Sequence, residues 1–247
     1  MVLDALIASS HRRAAALPDT FPSALFPLRS LKKALLSRSP AIIGEVKYAS
    51  PGGPTGATLP PGRLAAAMAA GGAVAISVLT EPTVFAGDPS FIREVRRHVT
   101  LPILRKDILV HTHQIRESRA LGADAVLLIA SVLGDDLPVF VDFAIACGLE
   151  PLVEVVSSEE AVRALATRAD LIGINNRDLR TLEIDLACSA RIAPVIRAAG
   201  RIPVAMSGIS NPVEVQQAMK SCCGVLIGTS IASAADPREA TEAFACT

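Results

Sequence analysis

Several short segments of this chain end an apolar run with side chains of catalytic type. Ile43-Gly44-Glu45-Val46-Lys47 puts a carboxylate and an ammonium at i and i+2, a spacing that sends both to one face of a strand. Leu104-Arg105-Lys106-Asp107, Leu152-Val153-Glu154-Val155 and Ile174-Asn175-Asn176-Arg177 end three more runs. Two carboxylates and two lysines converging on one site can move protons by general acid–base catalysis. A partly desolvated lysine beside other cations loses basicity and can donate near neutral pH. Glu154 lies inside an apolar run, where burial favours its protonated form and suits it to shuttle a proton. An ion-pair network that merely closes a fold would account for Glu45 and Lys47 alone. It does not account for polar groups at six strand ends.

Two further ends carry glycine. Met206-Ser207-Gly208 and Ile227-Gly228-Thr229-Ser230 let backbone N–H groups approach an anion, and a short helix start adds its positive end. Ser207, Gly208, Gly228, Thr229 and Ser230 are therefore candidate phosphate ligands, and the expected partner is a phosphorylated small molecule. The loop Thr80–Asp88 is long enough for Phe85 to reach a substrate ring, and Phe85 and Phe91 are expected to pack over the same end of the fold. His111-Thr112-His113 has no third ligand nearby in sequence, so no metal site is expected. Cys222-Cys223 reads as a core or junction pair rather than a redox centre.

The elements that must position these residues repeat as a short apolar run, a polar loop and an amphipathic helix. The runs are Ala41–Val46, Ala73–Leu79, Pro102–Leu104, Ala125–Ile129, Pro151–Val156, Leu171–Ile174, Ile202–Met206 and Gly224–Ile227. Most are continuous rather than alternating, the mark of strands buried on both faces. Helical patterns follow at 63–70, 89–98, 114–121, 137–147, 158–166, 186–197, 212–219 and 237–244. Gly71-Gly72, Gly122, Gly148 and Gly200 stand just after helices, where a left-handed cap is wanted. Eight such units predict an α/β fold, a single closed (β/α)8 TIM barrel over 41–247, led by an N-terminal helical extension over 1–40 that caps one end. The alternative, an open doubly wound sheet, wants a glycine fingerprint after the first strand that Pro51-Gly52-Gly53-Pro54 does not supply.

Composition narrows the classes. The 247 residues carry 24 Lys plus Arg and 24 Asp plus Glu, and a net charge of zero argues against a nucleic-acid binder that relies on a basic surface. A hydrophobic fraction of 51% against 19% charged excludes disorder. No run approaches the ~18 apolar residues of a membrane span, and Val2–Leu17 reads as a docking helix rather than a membrane element. The five cysteines form no CxxC pair, as expected of a protein in the reducing cytoplasm. A monomer or weak homodimer is the expected state.

These strand ends resemble the indole-3-glycerol phosphate synthase family, in order and over nearly the whole chain. Glu45-Val46-Lys47 with Ser50-Pro51 is similar to the family's first-strand motif, and Ile76-Ser77-Val78-Leu79-Thr80-Glu81 to its second. Leu104-Arg105-Lys106-Asp107 and Gly173-Ile174-Asn175-Asn176-Arg177-Asp178-Leu179 are the most specific segments. The resemblance implies a lyase of tryptophan biosynthesis that closes 1-(2-carboxyphenylamino)-1-deoxyribulose 5-phosphate to indole-3-glycerol phosphate without cofactor or metal. It implies Lys106 as general acid, Glu154 as partner acid/base, Glu45 and Lys47 as holders of hydroxyls and developing charge, and Asn175 as an orienting group. Ser50 and Arg177, with Phe85, would lie near the aromatic ring and its carboxylate. Three departures stand out. Tyr48 replaces a cation, Gly52 interrupts a Ser-Pro-Ser loop, and Met206 stands where the family has Glu. They leave two alternatives open: a divergent paralogue acting on a related carboxylated phosphosugar adduct, and a non-catalytic phosphate-ligand binding or scaffold homologue.

Overall fold

The computed structural model describes residues 2–178 and 181–246; Leu179 of the sixth-strand motif lies outside them. Eight parallel strands close into a barrel: β1 (Ile42–Val46), β2 (Ala75–Leu79), β3 (Ile103–Lys106), β4 (Ala125–Ile129), β5 (Glu150–Val155), β6 (Leu171–Asn175), β7 (Ile202–Met206) and β8 (Gly224–Ile227). β1 pairs with β2 on one side and β8 on the other, so the barrel itself has no open edge. Alternation along each strand divides the core in two. Ile42, Val46, Ile76 and Val78 face the helix layer, whereas Ile43, Leu79, Leu104 and Leu127 fill the barrel interior. The continuous apolar runs are continuous because both faces are buried.

The helices start where side chains can cap them. Ser157, Asn211 and Asp236 each accept backbone N–H groups at the N-termini of helices 158–165, 212–219 and 237–245. His111 caps helix 112–121 in the same way, accepting from the N–H of His113, so its ring is used locally as a cap. Gly72, Gly122, Gly148 and Gly200 have the left-handed backbone wanted after a helix. Gly71 does not; a side chain there would run into the Arg238 carbonyl.

Three expectations need correction. The third strand does not stop at Leu104 but continues through Arg105 and Lys106. Arg105 is tolerated in the barrel wall because Asp107 and Glu117 pair with its guanidinium at 3.0 and 2.6 Å. Phe91 does not pack over the barrel end. It belongs to helix 90–98 and stands edge-on to Tyr48, 5.6 Å between ring centroids, in the helix layer.

The leading segment caps both ends of the barrel rather than one. Helix α1 (Val2–Ala15) lies over the C-terminal strand ends: Ser10 donates to the Ile108 carbonyl, and Arg13 forms a two-pronged bond with Asp107 at 2.9 and 2.8 Å. Helix α2 (Leu31–Leu36) lies under the N-terminal ends, where Ser30 and the Lys32 N–H both bind the carboxylate of Glu150. Asp107 is the hub of the upper anchor. Buried at 2% exposure, it also accepts from Thr80, Arg105 and its own following N–H.

Burial alone would raise the Asp107 pKa, but Arg105, Arg13 and Thr80 together hold it below the usual range. A depressed carboxylate pKa adds stability above the unfolded value near ~3.9 and loses it as pH falls through the folded value. Asp107→Asn should therefore cost about 3 kcal/mol at neutral pH, by breaking a buried charge network. The deficit should shrink in acid. Urea unfolding at pH 7 and pH 3 checks this; an equal deficit at both would assign the loss to packing instead.

Candidate active site

A pocket of about 330 Å³ opens at the C-terminal ends of the strands. β1 contributes Glu45 and, just beyond its end, Lys47; β3 contributes Lys106, β6 Asn175, and the following loop Arg177. Ser50 and Pro51 line it from the loop after β1, Phe85 from the loop after β2. The opposite wall is Ser207 and Gly208 after β7, with Gly228, Thr229 and Ser230 after β8. The strands are parallel, so residues far apart in sequence meet at the same end of the barrel.

Glu45 is the organising carboxylate. It is 3% exposed, with Lys47 Nζ 3.7 Å and Lys106 Nζ 3.9 Å from its two oxygens. Ser77, on β2 beside it, donates to Oε2 at 3.4 Å. Ser77 was missed as a site residue, although a hydroxyl in the middle of a buried apolar strand is itself a signal. Burial lowers the Lys47 pKa, and Lys106 and Arg177 add to that while Glu45 opposes it. Such a lysine holds its proton less tightly than one in water.

Glu154 does not line this pocket. It stands behind Asn175, whose Nδ2 donates to its Oε1 at 3.0 Å, while the Arg177 N–H donates to Asn175 Oδ1 at 3.0 Å. A backbone N–H can only donate, so the amide is oriented with its NH2 toward Glu154. The other oxygen of Glu154 is buried without a partner among the described residues, and the residue borders a second cavity of about 40 Å³. Leu3 of α1, Ile129 and Ser131 line that cavity too. Burial holds the Glu154 pKa above the usual carboxylate range; Lys106 and Asn175 oppose the shift. Sequence spacing could not show that α1 walls this cavity, since nothing local in 1–16 points to β4 or β5.

The glycine-bearing wall is shaped by backbone. Ser207 and Gly208 are both left-handed, with φ of 66° and 81°, which turns the chain sharply at the end of β7. Ser230 Oγ donates to the Ile209 carbonyl at 3.2 Å and ties the two loops together. At Gly228 the need is for space: a Cβ there would stand 2.4 Å from Glu45 Oε1.

Comparison with known proteins decides the family. The family model of indole-3-glycerol phosphate synthase matches residues 7–244. The chain belongs to the indole-3-glycerol phosphate synthase family. A relative of that name from Carboxydothermus hydrogenoformans is 43% identical over 220 residues, 86% of this chain and 83% of the relative. One from Aquifex aeolicus is 42% identical over 232 residues, 89% of this chain and 90% of the relative. A solved structure, thiamine phosphate pyrophosphorylase from Pyrococcus furiosus, superposes with a TM-score of 0.60 over 87% of this chain and 96% of that one. At 21% identity it shares the barrel alone. Among the described residues no helix is long and apolar enough to cross a membrane.

The family's departures have local structural consequences here. Tyr48 donates its hydroxyl to the Leu59 carbonyl at 2.7 Å, and Thr55 closes back on the carbonyls of Lys47 and Tyr48. The loop is thus held by its own hydrogen bonds. Met206 is 1% exposed and turns into the barrel interior; its Cε would lie 2.6 Å from a Cβ on Gly173. It packs with Leu152, Leu171 and Val204 rather than lining the pocket.

Met206→Glu should therefore destabilise the fold by several kcal/mol without raising turnover. Burial would raise the new carboxyl's pKa, so the penalty attaches to the ionised form and grows as pH rises above about 4.3. Thermal melts at pH 5 and pH 8, with kcat/KM beside them, test this. An unchanged melt with faster turnover would mean that the pocket merely lacks a carboxylate.

Proposed function

We propose that the protein closes 1-(2-carboxyphenylamino)-1-deoxyribulose 5-phosphate to indole-3-glycerol phosphate, with loss of CO2 and water. One observation carries this reading: a single pocket sets Glu45, Lys47, Lys106 and Arg177 opposite the glycine-bearing ends of β7 and β8. The names of the relatives support it.

In this reading the phosphate binds at Ser207, Gly208, Gly228, Thr229 and Ser230, where close backbone approach and a short helix start suit an anion. Arg177 takes the ring carboxylate, with Ser50 and Phe85 beside the ring. Glu45 and Lys47 hold the ribulose hydroxyls. The carboxylate-bearing ring carbon attacks the ketone carbon while Lys106 donates a proton to the ketone oxygen, so charge never builds up on it. The carbon–carboxylate bond then breaks, CO2 leaves, and the electron pair restores the aromatic ring. Lys106, reprotonated from solvent, gives the second proton, which converts the new hydroxyl into departing water. Glu45, the carboxylate that lines the pocket, takes the proton whose loss forms the indole double bond, while Glu154 fixes Asn175 from behind. Each step needs a proton donor, an acceptor or an anion anchor, and the chain's own side chains supply all three.

Expression in a tryptophan auxotroph that lacks this step should restore growth without tryptophan. Failure of a well-expressed protein to do so would favour a related carboxylated phosphosugar adduct as substrate.

A further inference from the structure

The pocket carries an excess of positive charge. Lys47, Lys106 and Arg177 line it, and Glu45 is the one carboxylate among its described lining residues. Glu154 from β5 acts on Lys106 only from behind Asn175, where burial favours its protonated form. Met206 brings no charge from β7. Two lysines sharing one carboxylate repel each other in a partly desolvated site, so a second electronegative surface is needed to hold both in place.

Phe85 provides one. Lys47 Nζ lies 5.8 Å and Lys106 Nζ 6.0 Å from its ring centroid. A ring face is electronegative and attracts ammonium groups at this range, more strongly where water is excluded. The ring is 8% exposed. Its backbone is held on both sides: the Phe85 N–H donates to Glu81 Oε2 at 3.3 Å, and its carbonyl accepts from the Ala49 N–H at 3.2 Å. Glu81 also accepts from the N–H groups of Thr83 and Val84, so a buried carboxylate shapes the turn that presents the ring.

We propose that Phe85 is a positioning residue for both pocket lysines, its ring face holding their ammonium groups beside Glu45 and turned toward the pocket. It has this role in addition to any contact with the substrate. The consequence for rate rests on the ring-closing reading; the consequence for the lysines does not.

The test is Phe85→Leu, which keeps apolar bulk but removes the ring face. The charged groups around the lysines stay in place: Glu45 on β1, Glu154 on β5 and Arg177 after β6. Lysines labelled with 13C at Cε are titrated by NMR in the unliganded protein, with Lys47→Met and Lys106→Met assigning the two resonances. Without the ring the ammonium form loses support, so at least one pocket lysine should titrate about half a unit to one unit lower. In turnover, kcat at neutral pH should fall about three- to tenfold, its alkaline limb should move down equally, and KM should hardly change. Phe85→Tyr, which keeps a ring face, should return the titration toward wild type. Phe85→Met gives the same comparison if the leucine variant does not fold. Unchanged lysine titrations would overturn the proposal. So would a raised KM with an unaltered kcat and pH profile, which would make the ring a substrate wall only. A wild type that closes no ring would sink the functional reading, while the NMR titration would still judge the role of Phe85.

Discussion

Lys106→Met should lower kcat by about 10²–10⁴-fold, the usual loss for a positioned acid, while the protein stays folded and still binds product. The lysine is firmly anchored. Its carbonyl accepts from the Thr80 N–H at 3.1 Å, and the next residue, Asp107, is locked by Arg13, Arg105 and Thr80. Its ammonium group lies 3.9 Å from Glu45 and only 17% of the side chain is exposed. Methionine keeps the apolar stem, so packing should survive, and Glu45 keeps Lys47 as a partner. The wall proposed to bind phosphate is built from other strands, so product affinity should change only a fewfold. Single-turnover rates and a product titration separate the two effects. A variant that keeps more than about a tenth of the wild-type rate would remove Lys106 from the role of acid.

The second large effect is expected at Gly228. A Cβ there would meet Glu45 Oε1 at 2.4 Å and Lys47 Cδ at 3.3 Å. Gly228→Asp adds a carboxylate where the phosphate should sit and pushes against Glu45. Repulsion between like charges about 4 Å apart near a protein surface is worth ~4 kcal/mol, so affinity for a phosphorylated ligand should drop at least a hundredfold. Gly228→Ala separates the two causes. It displaces Glu45 without adding charge, so it should slow turnover while phosphate affinity stays within a fewfold. Calorimetry with inorganic phosphate and with product reads both variants. Equal affinity of the aspartate variant and the wild type would place the phosphate elsewhere.

The barrel was legible because its signal is local. Runs such as Ala125–Ile129 are apolar throughout, and caps such as Ser157 and Asn211 stand directly before their helices. Most of the pocket was legible for the same reason, since parallel strands bring their polar ends to the same end of the barrel. What escaped depends on contacts between distant segments. Arg105 looks like the end of a strand until Asp107 and Glu117 are seen to pair with it. The leading segment looks like a cap for one end until Arg13 meets Asp107 above and Ser30 meets Glu150 below. Glu154 was named from its burial in an apolar run, but its place behind Asn175, beside Leu3, follows from how α1 docks. Met206 shows the limit of a motif: the position is readable, but the direction of its side chain depends on the space above Gly173.

The central claim is that this pocket closes the indole ring with its own side chains. The most direct measurement is to incubate the purified protein with 1-(2-carboxyphenylamino)-1-deoxyribulose 5-phosphate and a strong chelator, following indole absorbance and released CO2 together. The account predicts that both rise in equal amounts at a rate the chelator does not change. Tight binding of indole-3-glycerol phosphate with neither signal rising would contradict it and make the protein a binding homologue.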